Sequence, residues 1–141
     1  MDLYEKLRGL KMAMVEDDTL LRESMVLFFR TKGCAVAGYT DAVSAMEAFR
    51  KGFPDIVISD LFLPGPDGLT LLRRIGELHR RTFRILITGN PSPEITRDVD
   101  EAGIDDFLLK PFTAEELEDA LRQLLARRKN GMEDRVLNSS S

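Results

Sequence analysis

Four groups of residues in this 141-residue chain are of types that do chemistry, and each closes a short apolar run. Glu16, Asp17 and Asp18 follow Met12-Ala13-Met14-Val15. Asp60 ends Ile56-Val57-Ile58-Ser59, Thr88 ends Ile85-Leu86-Ile87, and Lys110-Pro111 ends Phe107-Leu108-Leu109. Carboxylates brought to one place raise one another's pKa unless positive charge intervenes. Hard oxygen ligands with room for water suit Mg²⁺, which prefers octahedral oxygen coordination and keeps some of its waters. A divalent ion beside a carboxylate and a lysine makes a site for a phosphoryl group. The two cations would neutralise its equatorial oxygens while a carboxylate attacks in line. An aspartate nucleophile would give an acyl phosphate.

The apolar runs that precede these groups read as strands, with Cys34-Ala35-Val36-Ala37 as one more. Helix-period segments lie between them. Leu21, Met25, Phe28 and Phe29 share a face from about Thr19 onward. Ala42, Ala45, Met46 and Phe49 share another, stopped by Gly52 and Pro54. Leu71, Leu72, Ile75 and Leu78 form a third helix, and Ile95, Val99 and Ala102 a fourth. The fifth opens on a Thr113–Glu116 capping box and carries Leu117, Ala120, Leu121, Leu124 and Leu125. Five strands alternating with five helices predict an α/β fold, a doubly wound five-stranded parallel sheet covered on both faces. Ligands bind such sheets at the carboxyl ends of the strands, so the acids, Thr88 and Lys110 should converge on one rim. The second strand runs into Gly38-Tyr39-Thr40 and offers no obvious catalytic group.

Composition narrows the function classes. Twenty Lys and Arg against 24 Asp and Glu give a formal charge of −4, which argues against a phosphate-backbone binder. With 43% apolar residues, one globular domain is expected over residues 10–129. The single cysteine, Cys34, forms no internal disulfide and reads as a small buried hydrophobe. The longest apolar run, Met25 to Phe29, falls far short of the ~20 residues that cross a bilayer, and the N-terminus has no signal-peptide core. A cytoplasmic, membrane-free protein is expected. Residues 130–141 are polar and read as a tail: a linker stub, a cloning remnant or a disordered end.

From about residue 10 to 128 the sequence resembles the receiver domain of two-component response regulators. The matching pieces are Val15-Glu16-Asp17-Asp18, Pro54 through Asp60, Leu63-Pro64-Gly65-Pro66-Asp67-Gly68, Ile87-Thr88-Gly89, and Ala102 through Phe112. Each is weak alone, but together, in order and at the family's spacing, they are specific. The resemblance implies a flavodoxin-like (βα)5 fold with strand order 2-1-3-4-5. It implies that Asp60 is the phosphoacceptor, supplied by a sensor histidine kinase or a phosphotransfer protein. It places Mg²⁺ on Asp17, Asp60 and the Phe62 carbonyl, with Glu16 an outer ligand through water. Thr88 and Lys110 would complete the catalytic set by holding phosphoryl oxygens, and the Lys110–Pro111 bond is commonly cis in the family. Phe107 takes the place of the switch aromatic, paired with Thr88. An effector or a second copy would meet the face built by the fourth helix, fifth strand and fifth helix of the five-helix count, with no direct nucleic-acid contact. Phe62 and Asn90 would flank the path of hydrolytic water. Beyond self-phosphorylation from small donors and self-dephosphorylation, no enzymatic activity is implied.

Other readings compete. Asp18 reads as the start of a helix rather than a metal ligand, and Ser92 is better placed than Thr88 to cap the helix after it. His79, among Glu77, Arg80 and Arg81, reads as a solvated surface histidine. An aspartyl-nucleophile phosphatase of the haloacid dehalogenase type needs an acid two residues past the nucleophile, where this chain has Phe62. A receiver excised from a larger regulator or hybrid kinase remains open.

Overall fold

The computed structural model describes residues 2–139, with side chains through Arg127. Its elements run α1 (Leu3–Arg8), β1 (Lys11–Val15), α2 (Thr19–Thr31), β2 (Ala35–Tyr39), α3 (Ala42–Phe49), β3 (Ile56–Asp60), α4 (Gly68–Leu78), β4 (Phe83–Thr88), α5 (Pro93–Glu101), β5 (Asp106–Leu109) and α6 (Ala114–Ser139). The five strands form one parallel sheet in the order β2-β1-β3-β4-β5. The architecture is the α/β, doubly wound sheet expected from the sequence.

Strand alternation divides the core in two. Met12 and Met14 of β1, Ile56 and Ile58 of β3, and Ile85 and Ile87 of β4 pack with α1, α2 and α6. Ala13, Val15, Val57 and Leu86 point the other way, onto α3, α4 and α5. Because both faces are covered, the central strand β3 is buried along its whole length.

Local signals fix the helix starts. Asp18, Asp41, Asp67 and Ser92 each accept a backbone N–H three residues on, capping α2, α3, α4 and α5. Asp18 and Ser92 thus take the capping roles their positions implied. The Thr113–Glu116 capping box forms in both directions at α6. Cys34 is buried.

Three differences from the sequence reading stand out. A sixth helix, α1, precedes β1, so the expected fourth helix, fifth strand and fifth helix are α5, β5 and α6. Its Leu3 and Leu7 are buried in the core, and its Tyr4 hydroxyl donates to the Glu118 carboxylate of α6. Backbone helix in α6 continues to Ser139, well past the last apolar stripe residue, Leu125, and takes in most of the expected 130–141 tail. The side chains of that tail lie outside the described ones. His79 is not simply solvated: it is half-buried, stacked on Phe53 at 5.1 Å between ring centroids. Its Nδ1 lies 2.9 Å from Thr82 Oγ1, whose hydroxyl donates to the Pro54 carbonyl.

Candidate functional site

The parallel register brings the chemistry-bearing residues to one end of the sheet. Glu16 extends β1 by one ladder bond, from its N–H to the Tyr39 carbonyl. Asp60 lies opposite Ile87, and Leu61 donates to the Ile87 carbonyl at 2.8 Å. Thr88 lies opposite Leu109, and Lys110 donates to the Thr88 carbonyl at 2.9 Å. Side chains leaving the ends of β1, β3, β4 and β5 therefore share a rim at the point where strand order reverses, between β1 and β3.

Lys110 is the centre of this rim. Its Nζ donates to Glu16 Oε1 at 2.6 Å and to Asp60 Oδ2 at 3.1 Å. Burial alone would pull the Lys110 ammonium down, but the hydrogen bonds and charges of Glu16 and Asp60 outweigh it and hold its pKa above the ordinary lysine value. Glu16 is 1% exposed and Asp60 7%. Burial is the largest cause raising the Glu16 pKa; Asp60 adds to it and Lys110 opposes it. Glu16 Oε2 is buried without a hydrogen-bond partner, an orphaned acceptor of the kind that marks a site for an ion or water.

The other expected residues are placed as follows. Asp17 and Asp18 are exposed on the loop after β1, and Asp18 is occupied as the α2 cap. Thr88 is fully buried, its Oγ1 accepting from the Asn90 N–H at 3.1 Å. Phe107 is half-buried on β5 and packs with the core under α3, α4 and α5. The Phe62 side chain is 60% exposed. The Lys110–Pro111 bond is cis.

The donors present fit Mg²⁺. Among the described residues no three acidic or histidine side chains form a closed metal cage. The orphaned Glu16 oxygen, the Asp60 carboxylate, the exposed Asp17 and the Phe62 carbonyl are all hard oxygen donors.

Two contributors escaped the sequence reading. Arg22 Nη1 donates to the Glu16 carbonyl at 2.7 Å and lies 3.4 Å from the Asp17 carbonyl, holding the loop that carries the acids. Gly68 abuts the Asp60 carbonyl and closes the β3–α4 loop by donating to the Leu61 carbonyl at 2.8 Å. The Asp67-Gly68 pair was visible as a turn, but its contact with Asp60 was not.

Strand order 2-1-3-4-5 with a lysine-bridged acidic rim at the switch point defines a flavodoxin-like doubly wound protein. The chain belongs to the response regulator receiver domain family, whose model matches residues 12–122. The transcriptional regulatory protein BasR of Escherichia coli K12 is 34% identical over 128 residues, 91% of this chain and 58% of BasR. CseB of Streptomyces avermitilis, also a transcriptional regulatory protein, is 37% identical over 80% of this chain and 48% of its own. The chain thus spans about half the length of these relatives. Among solved structures, the signal receiver domain of an HD domain-containing protein from Pseudomonas fluorescens Pf-5 superposes with a TM-score of 0.78 at 30% identity. That match covers 87% of this chain and 91% of the other. The BeF3-activated DrrB receiver domain gives 0.74 at 26% identity, covering 83% and 97%. Among the described residues, no helix is long and apolar enough to cross a membrane.

Proposed function

We propose that this receiver is a phosphorylation-controlled switch whose Asp60 carboxylate accepts a phosphoryl group from a sensor histidine kinase or phosphotransfer protein. The observation that carries the reading is the Lys110 ammonium held between Glu16 and Asp60, 2.6 and 3.1 Å away, beside an unpartnered Glu16 oxygen. An Asp60 oxygen attacks phosphorus as the bond from phosphorus to the donor's imidazole nitrogen breaks, and that electron pair leaves with the imidazole. The product is a mixed anhydride on Asp60. Lys110 exchanges its contact with Asp60 for a phosphoryl oxygen, and the Thr88 hydroxyl donates to another. Glu16, Asp17, Asp60 and the Phe62 carbonyl would hold Mg²⁺, which supplies charge neutralisation for the transferring group.

The responsive surface is proposed to be α5, β5 and α6, met by an effector or a second copy, with residues 10–129 as the switching unit. The formal charge of −4 gives no reason to propose direct nucleic-acid contact. A cytoplasmic setting belongs to the same proposal.

Incubation with acetyl phosphate and Mg²⁺ should add one phosphoryl group by intact mass. Asp60→Asn or a chelator should abolish the addition. Undiminished labelling of Asp60→Asn would overturn the assignment.

A further inference from the structure

Arg22 sits one turn into α2, within six residues of Glu16, Asp17 and Asp18, yet it forms no ion pair among the described residues. Its guanidinium takes backbone instead. Nη1 donates to the Glu16 carbonyl at 2.7 Å and reaches toward the Asp17 carbonyl at 3.4 Å. Glu16 is thereby fixed at both backbone groups, since its N–H is bound to the Tyr39 carbonyl at 3.0 Å. The backbone of the first acid of the rim is held, and the start of the loop bearing the second is tethered. Arg22 takes neither carboxylate oxygen of Glu16: Oε1 accepts from Lys110, and Oε2 is buried without a partner.

Gly38 on β2 makes this reach possible. A Cβ there would stand 3.0 Å from Arg22 Cγ, 3.2 Å from Arg22 Cδ and 3.1 Å from Val26 Cγ2. The aliphatic stem of Arg22 lies along the strand where a side chain would otherwise be. These are stem atoms and a branched valine, which give way less readily than the tip of a long side chain.

We propose that Arg22, seated on Gly38, is a positioning residue for cation binding: it presets the Glu16–Asp17 loop through its carbonyls while leaving the carboxylates to the ion. This rests on the reading of the rim as a Mg²⁺-assisted phosphoacceptor site. The sign of the effect separates positioning from simple charge. A guanidinium acting only as a nearby positive charge repels a cation, so its removal would tighten Mg²⁺ binding. A guanidinium that presets the loop makes removal weaken it, as for other residues that orient ligands from behind.

Calorimetric Mg²⁺ titration of the full chain tests this with no need for phosphorylation. Arg22→Met should raise the Mg²⁺ Kd about tenfold. Arg22→Lys keeps the charge but loses the planar fork, and should fall between Arg22→Met and the parent. Gly38→Ala, which leaves the charge untouched, should raise the Kd as well. Amide shifts induced by Mg²⁺ at residues 16–18 should shrink at equal ion concentration and recover at saturation. A purely structural role would lower the melting temperature in chelator and leave the Kd of the folded protein where it was. An unchanged or tighter Kd in Arg22→Met overturns this inference alone. A parent protein that takes no Mg²⁺ overturns both this inference and the phosphoacceptor reading beneath it.

Discussion

Gly68 stands so close to Asp60 that a methyl group on its α-carbon would lie 1.9 Å from the Asp60 carbonyl oxygen. The requirement is one of space, since Gly68 is not among the glycines of positive φ. Helix α4 is thus seated directly against the backbone of the proposed phosphoacceptor.

Gly68→Ala must therefore displace either α4 or the end of β3. Overpacking of this kind costs about 1–3 kcal/mol. The variant should show that loss in urea denaturation, together with slower labelling at Asp60, because the displaced backbone carries the attacking carboxylate. Stability and labelling both equal to the parent would mean that the contact yields freely.

The Glu16 carboxyl gives a second test, with two opposite signs. Its pKa is raised by burial first and by Asp60 next, with Lys110 pulling it back. In carboxyl ¹³C titrations Lys110→Met should move the Glu16 midpoint further up, and Asp60→Asn should move it down. A group whose folded pKa lies above its unfolded value of 4.5 contributes stability that is full below that value and lost as pH rises through the folded pKa. The stability lost by Lys110→Met should therefore be small below about pH 4 and grow as the unpaired Glu16 ionises. A midpoint that moves the same way in both variants would sink this account.

The switch is tested through propagation. Thr88 is buried at the end of β4, and Phe107 is half-buried beside it on β5, opposite Leu86. On the proposed reading, a phosphoryl group draws the Thr88 hydroxyl toward it and vacates space that the Phe107 ring enters. The two arrangements are in equilibrium, so the phosphate shifts a population rather than creating a new state. Beryllofluoride, a phosphate mimic, should move amide resonances clustered over 88–112. Shifts confined to residues 16–18 and 60 would show that nothing propagates.

Much of this was legible because a buried parallel strand is a continuous apolar run, and the first polar residue after it falls on the binding rim. Glu16, Thr88 and Lys110 announce themselves in that way, and Asp60 stands one residue further on, after Ser59. The boundaries were less legible where a polar or small residue sits inside an element. β4 begins at Phe83 although Arg84 interrupts the apolar run, because the Arg84 guanidinium leaves the sheet to bond the Leu72 and Gly103 carbonyls. β2 continues through Gly38, whose lack of a side chain hides the strand pattern but seats Arg22. α1 has only six residues and two buried leucines, too few to register as a period. Its stability comes from packing on α2 and α6 rather than from helix propensity. The Arg22 and Gly68 contacts are with backbone carbonyls, so no pattern of side-chain types could have announced them.

The last test concerns the lifetime of the phosphorylated form. An acyl phosphate on Asp60 is hydrolysed by water entering in line, opposite the bond from phosphorus to the Asp60 oxygen. By the resemblance, Phe62 and Asn90 flank that path. The Phe62 ring is 60% exposed and so is not locked into the core. It cannot hydrogen-bond an attacking water. Asn90 is exposed, with its backbone N–H tied to Thr88 Oγ1, and its side chain can orient water but carries no charge to accept a proton. Slow self-dephosphorylation is the expected outcome, which suits a sustained signal more than a rapid reset. Both side chains are exposed, so replacing them should change stability by no more than about 0.5 kcal/mol, and a change in decay rate can be read as chemistry. Phe62→Asn combined with Asn90→Glu supplies a water-binding amide and a carboxylate base. The double variant should lose its phosphoryl group at least severalfold faster in the same Mg²⁺, since a well-placed general base contributes ~10²-fold or more. The single Phe62→Asn change should recover part of that gain if the ring shields the approach. A double variant that decays at the parent's rate or more slowly would show that neither side chain governs access of water to the phosphorus.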